Sequence, residues 1–112
     1  MRKDLLKIIE HYGVMKQLKY FQSEVFELNE AIIEHETAKG IYQNAVEITR
    51  FKKEHIVEEI ADCLVMIHQF IEYYKIDNND VSNIMNQKID RQLDRIRNEK
   101  ENKKMLEQII RS

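Results

Sequence analysis

Glu24 and Glu27 stand three residues apart, and Glu59 and Asp62 repeat that spacing further along the chain, with Glu58 alongside. On a helix, residues three apart occupy neighbouring turns of one face. Glu24 and Glu27 flank an apolar stripe, sharing its shoulder with Gln17, Tyr20 and Ala31. The Asp62 face continues into Val65, Met66, Gln69 and Tyr73, so this carboxylate opens a largely apolar helix. An ionised carboxylate is costly to bury without a compensating positive charge, and four together also repel one another. Basic side chains or divalent cations could relieve them. Hard oxygen donors on facing helices suit Mg²⁺ or Mn²⁺, which retain waters and accept phosphate oxygens. The competing explanation is that Glu is a good helix former on a wet face.

The elements that would carry these acids are helical. Of the 112 residues none is Pro and two are Gly, which leaves few helix breakers and argues against sheet-based folds. Residues 3–12 read as a short amphipathic helix ended by Gly13 in a left-handed cap. A long helix from Val14 to about Thr37 carries the stripe Val14, Leu18, Phe21, Val25, Leu28 and Ile32. Residues 41–53 have weak periodicity and read as a loop with one helical turn at most. A third helix from Glu54 to about Lys75 has the stripe Ile56, Ile60, Cys63/Leu64, Ile67 and Phe70/Ile71, and is expected to be central and most buried. Asp77 to Asp80 form a turn and N-cap for a fourth helix bearing Val81, Ile84/Met85, Ile89, Leu93 and Ile96. The expectation is an all-α, four-helix domain over 1–98, with a charged helical extension or frayed tail over 99–112.

SEVFELNEAI at 23–32, HIVEEIADCLVMIHQF at 55–70 and KIDRQLDRI at 88–96 together resemble the MazG-like family of all-α nucleoside triphosphate pyrophosphohydrolases. The family pattern is EExxE, a spacer, then ExxD. Glu24 and Glu27 match the second and third acids, Glu59 and Asp62 match the ExxD, and Ser23 stands where the first Glu is usual. The resemblance spans about residues 8–97. It implies a bundle completed by homo-oligomerisation, with Glu24, Glu27, Glu59 and Asp62 as catalytic Mg²⁺ (or Mn²⁺) ligands. It further implies attack of water at the α-phosphorus of a nucleoside triphosphate, giving a monophosphate and pyrophosphate. Lys88, Arg91 and Arg95, along one face of the fourth helix, become candidates to balance phosphate charge. Gln17 and Tyr20 become candidates to touch base or sugar, although Tyr20 reads equally well as a core residue.

A central helix apolar on nearly every side exceeds what one small subunit can cover, which independently points to a homodimer or homotetramer. Eighteen basic against twenty acidic residues give a net charge of −2, without the basic excess that nucleic-acid binding favours. The expected partners are therefore a nucleoside triphosphate and further copies of the chain, with neither membrane nor nucleic acid. No residue three before a histidine is Glu, which removes a Glu-x-x-His di-iron bundle. His55, one turn before Glu59, is placed to line the acid site. Cys63 is the single cysteine, and charges interrupt the amino-terminal apolar residues before a signal sequence could form, so a cytoplasmic location is expected. The rival functional class is a non-catalytic helical oligomerisation module, a degenerate family member, for which Ser23 is the best support.

Overall fold

The computed structural model describes residues 4–41 and 46–112, and the side chains of 4–39 and 53–112. The described elements are four helices, α1 (Asp4–Tyr12), α2 (Val14–Ile41), α3 (Val46–Tyr73) and α4 (Asn78–Arg111). The all-α expectation thus holds among the described residues. Two of the helices are longer than expected. α2 continues past Thr37 through Gly40, and α3 begins at Val46, so most of the stretch read as a loop is helical. The four β-branched residues there (Ile41, Val46, Ile48 and Thr49) do not outweigh a chain with no proline to stop it. The remainder of that loop, 42–45, lies outside the described residues. No helix of the described residues is long and apolar enough to cross a membrane.

Residues divide into two compact units, Met1–Lys75 and Ile76–Ser112. In the first, Gly13 adopts φ +88° between α1 and α2, and its N–H donates to the carbonyl of Ile9 at 2.8 Å. This is the left-handed cap expected from sequence; a Cβ there would meet nothing within 4 Å, so conformation rather than space selects glycine. α3 packs on both α1 and α2, and α1 also touches α2. Gln17 meets Gln69 near one end of the α2–α3 seam, and Glu24 meets Glu59 further along it, so the two helices run antiparallel. Phe21 and Phe70 fill the seam between them, edge to face, with ring centroids 5.8 Å apart.

The face that α2 turns inward differs from the expected stripe. Gln17, Ala31 and Ala38 are buried, and Phe21, Glu24, Leu28 and His35 are half-buried. These positions alternate by four and three, the spacing of a helix seam. Leu18, Val25 and Ile32 of the expected stripe are exposed. On α3 the inward residues are Glu59, Cys63, Met66, Gln69 and Ile71, while Ile60, Leu64 and Ile67 are exposed. Two apolar lines compete on each helix, and the chain puts its acids and amides on the closed one. Alanines explain the choice on α2: Ala31 and Ala38 let α3 approach closely, as larger residues do not.

In the second unit, Asp77 caps α4 as expected, its Oδ1 accepting from the Asn79 N–H at 2.8 Å. The helix continues to Arg111 without fraying into a tail, and none of its residues is buried.

Candidate metal centre

Glu24 and Glu27 come from consecutive turns of α2, and Glu59 reaches them from α3. Carboxylate oxygens of the three lie within 4.8 Å of one another, with Glu59 buried, Glu24 half-buried and Glu27 exposed. One oxygen of Glu24 and one of Glu59 (Oε2 in each) are sealed from solvent with no hydrogen-bond partner. Asp62 is exposed and stands outside this triplet, yet its negative charge acts on both Glu24 and Glu59.

Electrostatics follow from that crowding. Burial first, then the charges of Glu27, Asp62 and Glu59, hold the Glu24 carboxyl above the ordinary carboxylate range. Glu59 is raised in the same way, by burial and then by Glu27 and Asp62; a hydrogen bond with the Glu27 carboxyl adds to both shifts. His55 acts in the opposite direction on Glu59: its Nε2 stands 3.3 Å from Oε1, one turn away, as the sequence suggested. Burial and the same acids push the Cys63 thiol up as well, so it remains a packed thiol rather than a nucleophile.

Like charges gathered around two unpartnered, water-excluded oxygens are offset only in part by His55 beside Glu59, and hard oxygen donors are what a divalent cation such as Mg²⁺ or Mn²⁺ requires. On that ground the residues present fit a divalent cation, with Glu24, Glu27 and Glu59 as first candidates and Asp62 at their margin. Glu58, the neighbouring acid, is turned elsewhere: with Glu34, Glu54 and His55 it lines a separate hollow of about 320 Å³.

A second depression, of about 250 Å³, is lined by Tyr12, Lys16, Gln17, Tyr20 and Met66. The sequence reading had two of these, Gln17 and Tyr20. Gln17 is buried, and Tyr20 is exposed rather than core. Tyr12, Lys16 and Met66 were not expected; the signal available for Met66 is its position seven residues after Glu59, two helical turns along the same face. The Lys16 ammonium lies 5.1 Å from the centre of the Tyr12 ring, a cation–π distance. Lys88, Arg91 and Arg95 lie on α4 in the second unit and are exposed there.

No protein-family model, curated protein or solved structure matches this chain.

Proposed function

We propose that the chain is a divalent-cation-dependent nucleoside triphosphate pyrophosphohydrolase, converting a (deoxy)nucleoside triphosphate and water to the monophosphate and pyrophosphate in control of the nucleotide pool. Glu24, Glu27, Glu59 and Asp62 hold Mg²⁺ or Mn²⁺. The observation that carries this reading is the pair of sealed, partnerless oxygens of Glu24 and Glu59 amid like charges. When bound, the ion supplies positive charge to phosphate oxygens and makes a water easier to deprotonate. Water then attacks the α-phosphorus, the bond to the bridging oxygen breaks, and pyrophosphate leaves. The proton lost by the water passes to a carboxylate oxygen of the cluster within hydrogen-bond reach of that water. His55, against Glu59 Oε1, orients that carboxylate. Gln17 and Tyr20 contact base or sugar, and Lys88, Arg91 and Arg95 are the basic residues that the resemblance offers for phosphate charge.

A panel of nucleoside triphosphates assayed for pyrophosphate with and without Mg²⁺ tests the activity; no release from any of them refutes it. Arg95→Ala is expected to raise KM for the triphosphate about tenfold with kcat little changed, as for loss of one charged hydrogen bond. An unchanged KM would return Arg95 to the solvent.

The working form is a homodimer or homotetramer. Leu18, Val25 and Ile32 on α2 and Ile60, Leu64 and Ile67 on α3 are exposed in the single chain, as are Ile84, Met85, Ile89 and Leu93 on α4. Exposed apolar lines at helix-seam spacing are satisfied by further helices. Sedimentation is expected to give a multiple of 13.6 kDa for the wild type, and a shift toward one chain mass for Leu64→Asp. A monomeric wild type would contradict this. The same open faces, with Ser23, support the rival reading of a non-catalytic oligomerisation module, which predicts the same assembly but no response to Mg²⁺.

A further inference from the structure

α4 is 34 residues long, about 50 Å at the helical rise, and none of its residues is buried. Helices in proteins draw most of their stability from packing one face. Toward its end α4 leaves that face open: Leu106 is 60% exposed and Ile110 81%. Gln92, Ile96, Glu99, Lys103, Leu106 and Ile110 follow one another at steps of four and three. That is the 3.5-residue repeat by which two helices wind around each other along a single seam.

Two opposite charges stand in the middle of this line, and they decide which partner fits. In a parallel pair of such helices Glu99 would meet Glu99 and Lys103 would meet Lys103, a repulsion at both positions. Run antiparallel about a twofold axis level with Glu101, the line complements itself. Glu99 then meets Lys103 of the second copy, Lys103 meets its Glu99, and Ile96 meets its Leu106; Gln92 and Ile110 meet at either end. Lys100 flanks the axis, where its stem carries the ammonium out to water. Sliding the pair by one heptad would also cover Met85 and Ile89, but it sets Ile96 against Glu99 and Gln92 against Lys103, leaving both charges unpaired. Among the described residues neither Glu99 nor Lys103 is committed to an ion pair within the chain, and the pair that α4 does form, Arg97 with Asp94 at 3.3 Å, lies off this line.

We propose that the second half of α4 is an interface for a second copy of this chain: an antiparallel two-helix seam held in register by Glu99 against Lys103 across the twofold axis. This goes beyond the assembly described above, which joins the exposed faces of α2, α3 and the first half of α4. Residues 98–112 lie past the stretch that resembles the pyrophosphohydrolases, and the seam requires neither a cation nor turnover.

The test is sedimentation of the full chain over a concentration series, in EDTA and at low salt so that charges are little screened. Glu99→Lys puts two lysines on the line of each chain, and Lys103→Glu puts two glutamates there. Either is expected to weaken association about tenfold or more, halving the assembly's mass where wild type is whole, with helix content unchanged because both sites are exposed. An equimolar mixture of the two variants is expected to recover association to within about threefold of wild type, since the lysines of one chain meet the glutamates of the other. Mixing would not restore a Glu99–Lys103 pair confined to one helix, whose loss would show instead in helix content. A parallel pair would also gain on mixing, but wild type would then associate no better than either variant. Monomeric wild type, either variant associating as wild type does, or no recovery on mixing would overturn the proposal. Loss of association in Leu64→Asp with none in Glu99→Lys would sink this seam and leave the assembly of the first unit standing; the reverse result supports the seam and sinks that assembly. Recovery on mixing by a chain that releases no pyrophosphate would leave the seam standing without the hydrolase reading.

Discussion

Glu59→Gln is expected to lower Mg²⁺-dependent pyrophosphate release by about 10²–10³-fold or more, and at the same time to make the metal-free protein harder to melt. The two effects have one cause. Glu59 is the most buried acid of the cluster, and its Oε2 has no partner within the protein. Its charge serves a cation and is a liability without one. Gln has the same shape and no charge, so repulsion from Glu27, Asp62 and Glu24 falls while the ligand set loses a member. An ordinary structural glutamate behaves oppositely, because removing it breaks an ion pair and lowers stability. A gain of roughly 2–5 °C in EDTA is expected from melting curves. If the variant retained most of its turnover, or melted clearly below wild type in EDTA, the cluster would not be the metal site.

Mg²⁺ or Mn²⁺ is expected to raise the melting temperature of wild type by about 10 °C when free ion exceeds Kd about a hundredfold, since a ligand bound only by the folded state stabilises it by about 3 kcal/mol at that ratio. Glu59→Gln should show little of this rise. The dependence on pH follows from the direction of the shifts. Glu24 and Glu59 both have folded-state pKa values above the ordinary 4.5, so between those values the folded chain holds more protons than the unfolded one. Their contribution to stability is therefore fullest below 4.5 and is lost as pH rises through the raised values. The melting advantage of Glu59→Gln over wild type in EDTA should accordingly vanish toward pH 4.5 and be largest near pH 8. Comparing the two proteins cancels the titration of groups remote from the cluster. An advantage that shrank with rising pH would place Glu59 in a favourable ion pair rather than in a repelling cluster.

Ionic relief also explains why so small a chain keeps acids in its seam. Gln17, Glu24 and Ala31 succeed one another at seven-residue intervals on α2, as do Glu59 and Met66 on α3. Substituting leucine at such positions would make a drier bundle. Their polar character makes sense if the seam is a working surface that a cation and a ligand complete.

Much of this was legible in the residues. The absence of proline, the stop at Gly13 and the cap at Asp77 determined the helices, because these are local effects of backbone freedom and of orphaned N–H groups. The paired three-residue spacings identified Glu24 with Glu27, and Glu59 with Asp62, as neighbours within their helices. What the residues left open was which of two apolar lines on α2 and α3 turns inward. Leu18, Val25 and Ile32 outrank Gln17, Ala31 and Ala38 in hydrophobicity, yet the latter are the buried set. Hydrophobic periodicity counts one helix at a time, whereas closeness of approach, amide pairing and ring packing belong to pairs of helices. Only the tertiary structure could decide that Glu59 meets Glu24, that Asp62 stands at their margin, and that Gln17 pairs with Gln69 across the seam.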